Sequence, residues 1–201
     1  WHDFMNTMCG LDFLEDAASP ITGTEFGVPI IHICEFTADL IKHNKLQLDP
    51  SKNDSYIATF ADSCNPARAM GLLEEPRYIL KHVCTNYVEM EPNASREKCY
   101  CCGSGGGLLT DEILELRMKA GRPRAEAIRR TGANFVAMIC AICKAATPPV
   151  LDYWKITAEV GGVHQLLGNA LVLKGEVKKA ELKVEKAETG KGAECDLCGA
   201  K

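Results

Sequence analysis

The chain has 201 residues, 46% of them hydrophobic and 25% charged, with a formal net charge of −4. That length and balance suit one ordinary domain with a buried core, and the acidic excess argues against a nucleic-acid surface, which needs net positive charge. No apolar run reaches the ~20 residues that span a bilayer, the best candidate being "ANFVAMICAIC" (133–143).

The chain opens on Trp1, with no charged start and no apolar signal core, so it reads as a fragment or processed chain in which residues 1–27 are the remnant of an upstream region. "VPIIHI" (28–33) is apolar and β-branched after a proline, which predicts a buried strand. "CEFTADLIKHNK" places Phe36, Leu40 and Ile41 at helical spacing, and "DPSKND" is a turn cluster. "YIATF" (56–60) predicts a second strand that leads into "ADSC". In "EEPRYILKHVCTN" (74–86) Pro76 suits a first helical turn and Ile79, Leu80 and Val83 form one face. "YVEM" reads as a short strand.

"TDEILELRMKAG" (110–121) predicts a helix capped by Thr110 and ended by Gly121, with Pro123 opening a second short helix through Ile128. "NFVAMI" (134–139) is a buried strand that runs into a helix limited by Pro148 and Pro149. "ITAEV" (156–160) is a last strand, and an apolar helix follows a Gly-Gly turn in "GGVHQLLGNALVL". This alternation predicts an α/β fold with a mainly parallel sheet and flanking helices, occupying residues 28–174. Residues 175–201, rich in Lys, Glu and Ala, read as a charged, solvated tail that closes on Cys195 and Cys198.

Cysteine is the unusual count, at 11. An odd number leaves one outside any closed disulfide framework, and a chain of this size does not need one, so a reducing compartment and metal or redox work are favoured. Cys64 follows the second strand, Cys101 and Cys102 follow the third, and Cys140 with Cys143 follow "NFVAMI". In open α/β sheets ligands gather beyond the carboxyl ends of the strands, where these residues would converge. The pattern is Cys64, 36 residues, Cys101-Cys102-Gly103, 37 residues, then Cys140-x-x-Cys143.

Five thiolates exceed the four ligands of a closed zinc site, and adjacent cysteines suit a larger object such as an iron–sulfur cluster. The C-x2-C-x2-C-x3-C-P run of a bacterial ferredoxin is absent. Cys9, Cys34, Cys84 and Cys99 read as core fillers, Cys99 also as a spare thiol. "GSGGGLL" matches neither a dinucleotide fingerprint nor a P-loop; Gly103, Gly105 and Gly106 either let backbone N–H groups approach sulfur or form a plain flexible loop. His164 reads either as a proton donor near the site or as a structural histidine at a helix start, and Arg68 either as a counter-charge or as a surface residue.

"SCNPARAMGLLEEPRYIL", "CYCCGSGGGLLTDEILELRMKAGRPRAEAI", "MICAICKAATPPVLDYW" and "GGVHQLLGNALVL" resemble the cysteine-rich CCG domain of heterodisulfide reductase-type proteins. "NPAR", "EEPRY" and "HQLLGNAL" look most like its DsrK branch, the iron–sulfur subunits of the membrane complex associated with dissimilatory sulfite reductase. The resemblance implies a noncubane [4Fe–4S] cluster held by Cys64, Cys101, Cys102, Cys140 and Cys143, which receives electrons singly and splits a sulfur–sulfur bond. It implies a DsrC-like small thiol/disulfide protein as substrate, a haem-bearing, quinol-oxidising membrane subunit as partner, and a cytoplasmic location at the inner face of the membrane. The family has His-Asp-Pro before the first cysteine where this chain has Ala61, Asp62 and Ser63. Other readings are an iron–sulfur subunit of a glycolate-, lactate- or quinone-linked oxidoreductase, and a zinc-binding interaction module. Cys195 and Cys198 read either as half of a further zinc site, completed by Cys9 and Cys34 or by another chain, or as no site at all.

Overall fold

The computed structural model describes residues 31–173, so the expectations for residues 1–30 and for the tail with Cys195 and Cys198 lie outside the described residues. The fold is α/β. Four parallel strands, β1 (Ala58–Phe60), β2 (Tyr87–Val88), β3 (Phe135–Met138) and β4 (Glu159–Gly162), lie in the order β2-β1-β3-β4. Ala58 is in register with Tyr87 on one side and Phe135 on the other, and Phe135 with Glu159 beyond it.

The sheet is covered on both faces, as a parallel sheet requires. The side-chain alternation of β3 serves both sides. Phe135 and Ala137 join a core with α1 (Ile33–Lys42), α3 (Glu74–Val83) and α6 (Val163–Ala170), built from Ala38, Ile79, Leu80, Val83 and Leu166. Val136 and Met138 join a second core with α4 (Leu114–Thr131) and α5 (Ala141–Tyr153), built from Met118, Ile128, Val150 and Leu151. Burial of each such side chain contributes about 1.5–3 kcal/mol, enough to outweigh local sequence preferences. Short α2 (Cys64–Arg68) caps the end of β1.

Four local expectations are corrected. "VPIIHI" does not continue as a strand to Ile33, which is the first residue of α1. His32 is its N-cap: Nδ1 accepts from the Cys34 amide at 3.1 Å while Glu35 Oε2 accepts from the His32 amide at 2.7 Å, a reciprocal box that stops extended chain there. Helix α4 neither starts at Thr110 nor ends at Gly121; it runs unbroken from Leu114 through Pro123 to Thr131, ending on Gly132 at φ 68°. Pro148 and Pro149 lie inside α5 rather than limiting it. Gly161 and Gly162 belong to β4, not to a turn: a Cβ on Gly161 would stand 2.4 Å from Phe135 Cζ and from Gln165 Oε1.

The strand order carries the functional consequence. The chain leaves β1 toward β2 on one side and returns to β3 on the other, so the crevice at the carboxyl ends of β1 and β3 is the point where connections part. Cys64 follows β1 and Cys140 follows β3.

Candidate metal centre

Each cysteine of the pattern stands at the end of a strand, at the start of a helix or on the loop between them. Cys64 is the first residue of α2, after the Ala61-Asp62-Ser63 turn out of β1. Cys140 is the N-cap of α5 and Cys143 lies in its first turn. Cys101 and Cys102 lie on the long loop between β2 and α4, Cys101 exposed and Cys102 buried. Proximity joins three of the five: the Cys143 thiol lies between Cys102 and Cys140, within hydrogen-bonding reach of either sulfur. Among the described residues, no three His, Cys, Asp or Glu side chains are arranged as a ready ligand set for one metal ion.

The thiols are held in unequal states. Donation from Cys143 pushes Cys102 and Cys140 below the ordinary thiol range, against the opposing effect of burial. Backbone amides add to this: Ser104 donates to Cys102, while Ile142 and Cys143, at the N-terminus of α5, donate to Cys140. The Gly103 amide donates to Cys101 Sγ at 3.3 Å. Cys143, which keeps its proton as the donor of this arrangement and is buried, is pushed up. Successive N–H groups thus meet successive sulfurs along Cys101–Ser104.

Glycine is needed at one point of that loop. Gly103 has φ 82°, and a Cβ there would stand 2.7 Å from the Arg117 carbonyl oxygen. Gly105 and Gly106 have open space around them, Gly106 at φ 64°. Cys34, Cys84 and Cys99 are buried, and burial raises all three thiols. Cys9 lies outside the described residues.

Charged side chains that sequence reasoning passed over fix the loops. Buried Arg117 donates to Ser104 Oγ at 3.2 Å and to the Thr110 carbonyl at 3.0 Å. Two turns on, buried Arg124 donates through Nε to the Tyr100 carbonyl at 2.7 Å and through Nη2 to the Asp62 carbonyl at 2.6 Å. The sequence signal is their i, i+7 spacing on the face that also carries Met118 and Ala125. Asp62 and Arg77, both 1% exposed, form a two-point ion pair at 2.9 and 2.6 Å, and Asp62 also accepts the Arg96 amide at 2.8 Å. Arg68 donates to the Glu97 and Cys99 carbonyls, which makes it a support of that loop. His164 shares a 3.0 Å hydrogen bond with Thr37 of α1, and burial favours its neutral form.

The donor set fits an anionic, sulfur-bound metal cluster. Thiols are held acidic by N–H donors, and two buried polar atoms at the site, Arg124 Nη1 and Ser63 Oγ, have no partner among the described residues. Beside Cys140 a largely apolar cavity of about 420 Å³ is lined by His32, Asn65, Met70, Ile139 and Ile142 among others.

Residues 58–146 match the CCG family, described as a cysteine-rich domain, and the span takes in β1, β3 and all five cysteines. Beyond that domain match, the chain is similar to iron–sulfur subunits of Hdr-like oxidoreductases. It is 50% identical over 155 residues to the Hdr-like menaquinol oxidoreductase iron–sulfur subunit of Archaeoglobus profundus, covering 75% of this chain and 28% of the relative. It is 49% identical over 155 residues to iron–sulfur subunit 2 of the corresponding oxidoreductase of Archaeoglobus fulgidus, with the same coverage. Over 154 residues it is 32% identical to a component of the dihydromethanophenazine:CoB–CoM heterodisulfide reductase of Methanosarcina mazei, covering 76% of this chain and 36% of the relative. The chain therefore spans little more than a third of the length of these relatives at most. No solved structure matches it. Among the described residues, no helix is long and apolar enough to cross a membrane.

Proposed function

We propose that this chain is the cluster-bearing part of an electron-transfer subunit acting on sulfur–sulfur bonds, with Cys64, Cys101, Cys102, Cys140 and Cys143 holding a noncubane [4Fe–4S] cluster. The observation that carries the reading is the meeting of Cys102, Cys140 and Cys143 thiols at the carboxyl end of the sheet, with backbone N–H groups aimed at the sulfurs of Cys102 and Cys140. When bound, the cluster supplies electrons one at a time, and two electrons with two protons convert a disulfide into two thiols. The chain's own residues keep the ligand sulfurs anionic, and the cavity beside Cys140 receives the substrate sulfur while its apolar wall excludes water.

The substrate is the disulfide or trisulfide of a DsrC-like small protein, as in the DsrK branch. The electrons come from a haem-bearing, quinol-oxidising membrane subunit through clusters on other domains, which puts the complex at the inner face of the cytoplasmic membrane. The test is anaerobic reconstitution of the chain with ferrous iron and sulfide. About four irons per chain with acid-labile sulfide, and a paramagnetic signal on chemical oxidation in the presence of a thiol, are expected. Cys101→Ser or Cys102→Ser should abolish both. A chain that takes up zinc but no iron overturns the reading.

A further inference from the structure

Arg124 is a buried guanidinium, 4% exposed, on the second core-facing turn of α4. A buried arginine normally places all its N–H groups on acceptors, because an unpaired one forfeits its hydration without replacement. Here Nε and Nη2 are spent on two backbone carbonyls, those of Tyr100 and Asp62. Tyr100 immediately precedes Cys101, and Asp62 lies two residues before Cys64. One side chain thereby ties together the two loops that deliver the first three cysteines of the pattern. Nη1 is buried and has no acceptor among the described residues. Among the described residues no carboxylate bonds to the guanidinium, and its charge acts on Cys99, Cys102, Cys140 and Cys143.

Given the cluster reading above, on which this rests, we infer that Arg124 is a positioning residue of the centre: its fork sets the spacing of the Cys64 and Cys101–Cys102 loops, and its free Nη1–H is the donor and counter-charge for the sulfur these cysteines gather. A buried cation of this kind favours the electron-rich state of whatever it faces, since added negative charge is stabilised in a site of low dielectric. Hydrogen bonds to cluster sulfurs act in the same direction on reduction potential.

The experiment compares the full chain with Arg124→Gln and Arg124→Lys, each reconstituted anaerobically and titrated for reduction while iron content and the paramagnetic signal are recorded. The glutamine variant is expected to bind wild-type iron but to lose about tenfold or more in its reduction equilibrium, a potential about 59 mV lower for one electron. Lysine keeps the charge but not the fork, so its potential should stay within about threefold of wild type in equilibrium constant while its spectrum changes. A glutamine variant with full iron, unchanged potential and unchanged spectrum overturns the inference. Should that variant not fold, the lysine variant decides: an unaltered spectrum overturns the inference and an altered one supports it. If neither folds, Arg124 is a structural residue only and the inference is overturned. Absence of iron from the wild-type chain is a separate result, which overturns the cluster reading itself.

Discussion

Eight cysteines occupy the described residues, and their surroundings divide them into two chemical kinds. Cys34 and Cys84 sit in the apolar core, where burial pushes their thiols up to about 12 and about 11. Cys140, half-buried at a helix N-terminus, is held acidic by the Cys143 thiol and by two amides, and Cys101 is exposed. The thiolate is the nucleophile, so alkylation of the metal-free chain at neutral pH should modify Cys101 and Cys140 at least about tenfold faster than Cys34 and Cys84. Peptide mapping after timed iodoacetamide treatment measures this, and equal rates would contradict the assignment. His32 gives a second test at this scale. Burial lowers its pKa from 6.5 to about 4, and as N-cap its Nδ1 must stay unprotonated to accept the Cys34 amide. The folded state therefore binds fewer protons than the unfolded chain between those values. Stability is full above pH 6.5 and falls as pH drops toward 4, by roughly 3 kcal/mol at the limit. His32→Asn keeps a capping acceptor without titrating. It should flatten the melting temperature across pH 7 to 4.5 relative to wild type; parallel profiles would rule the histidine out.

Helix α4 shows how an element overrides its own punctuation. Gly121 and Pro123 look like a stop and a restart, yet the helix passes through both because Met118, Ala125 and Ile128 bury one continuous face against α5 and the sheet. The local cost of a helical proline, about 3 kcal/mol, is no more than the burial of a few such side chains contributes. Gly121 has a different use, close approach: a Cβ there would lie 2.9 Å from both Val150 methyl carbons and 3.2 Å from the Cys102 carbonyl oxygen. Gly121→Ala should destabilise the protein by about 1–3 kcal/mol through overpacking. Val150→Ala in the same chain should restore part of the loss. Urea denaturation of the parent and the two variants checks this, and a Gly121→Ala variant as stable as the parent would show that the contact yields freely. The same contrast explains what the sequence made legible. Strand-helix alternation and the strand-end cysteines were visible because apolar runs and cysteine spacing are local marks. The N-cap at His32 was hidden because histidine is not an ordinary capping residue. Arg124 was hidden because its i, i+7 spacing from Arg117 does not by itself separate a buried arginine from the solvated Arg122, Arg129 and Arg130 around it. That distinction exists only once tertiary packing has chosen a face.

At the scale of the whole molecule, the site depends on holding the turn after β1 in place against the loop after β2. Asp62 is the joint. It lies at the end of β1, accepts the Arg96 amide from the loop that leads to Cys99–Cys102, and is paired at two points with Arg77 of α3. Arg77 in turn is bonded to Glu89 beyond β2 at 2.6 Å and to the Leu73 carbonyl, and stands 5.1 Å from the centre of the Phe60 ring. Burial opposes the Arg77 charge, and the two carboxylates more than offset it, so the guanidinium stays protonated throughout the ordinary pH range. An isolated pair of this kind adds little net stability against an apolar substitute, but breaking it leaves a buried charge without its partner. Asp62→Asn keeps the shape and removes the charge, so it should cost about 3–5 kcal/mol in chemical denaturation. Replacing both partners, Asp62→Asn with Arg77→Met, should cost less than the single change, because no buried cation is then left with only the half-exposed Glu89 to balance it. The single variant should also loosen the Arg96–Cys102 segment, read as faster amide exchange there than in β3, which the pair does not touch. A single variant within about 1 kcal/mol of wild type, with unchanged exchange in that segment, would mean that the two loops are held by Arg124 and Arg68 without Asp62. The position of Cys64 relative to Cys101 and Cys102 would then rest on those two arginines alone.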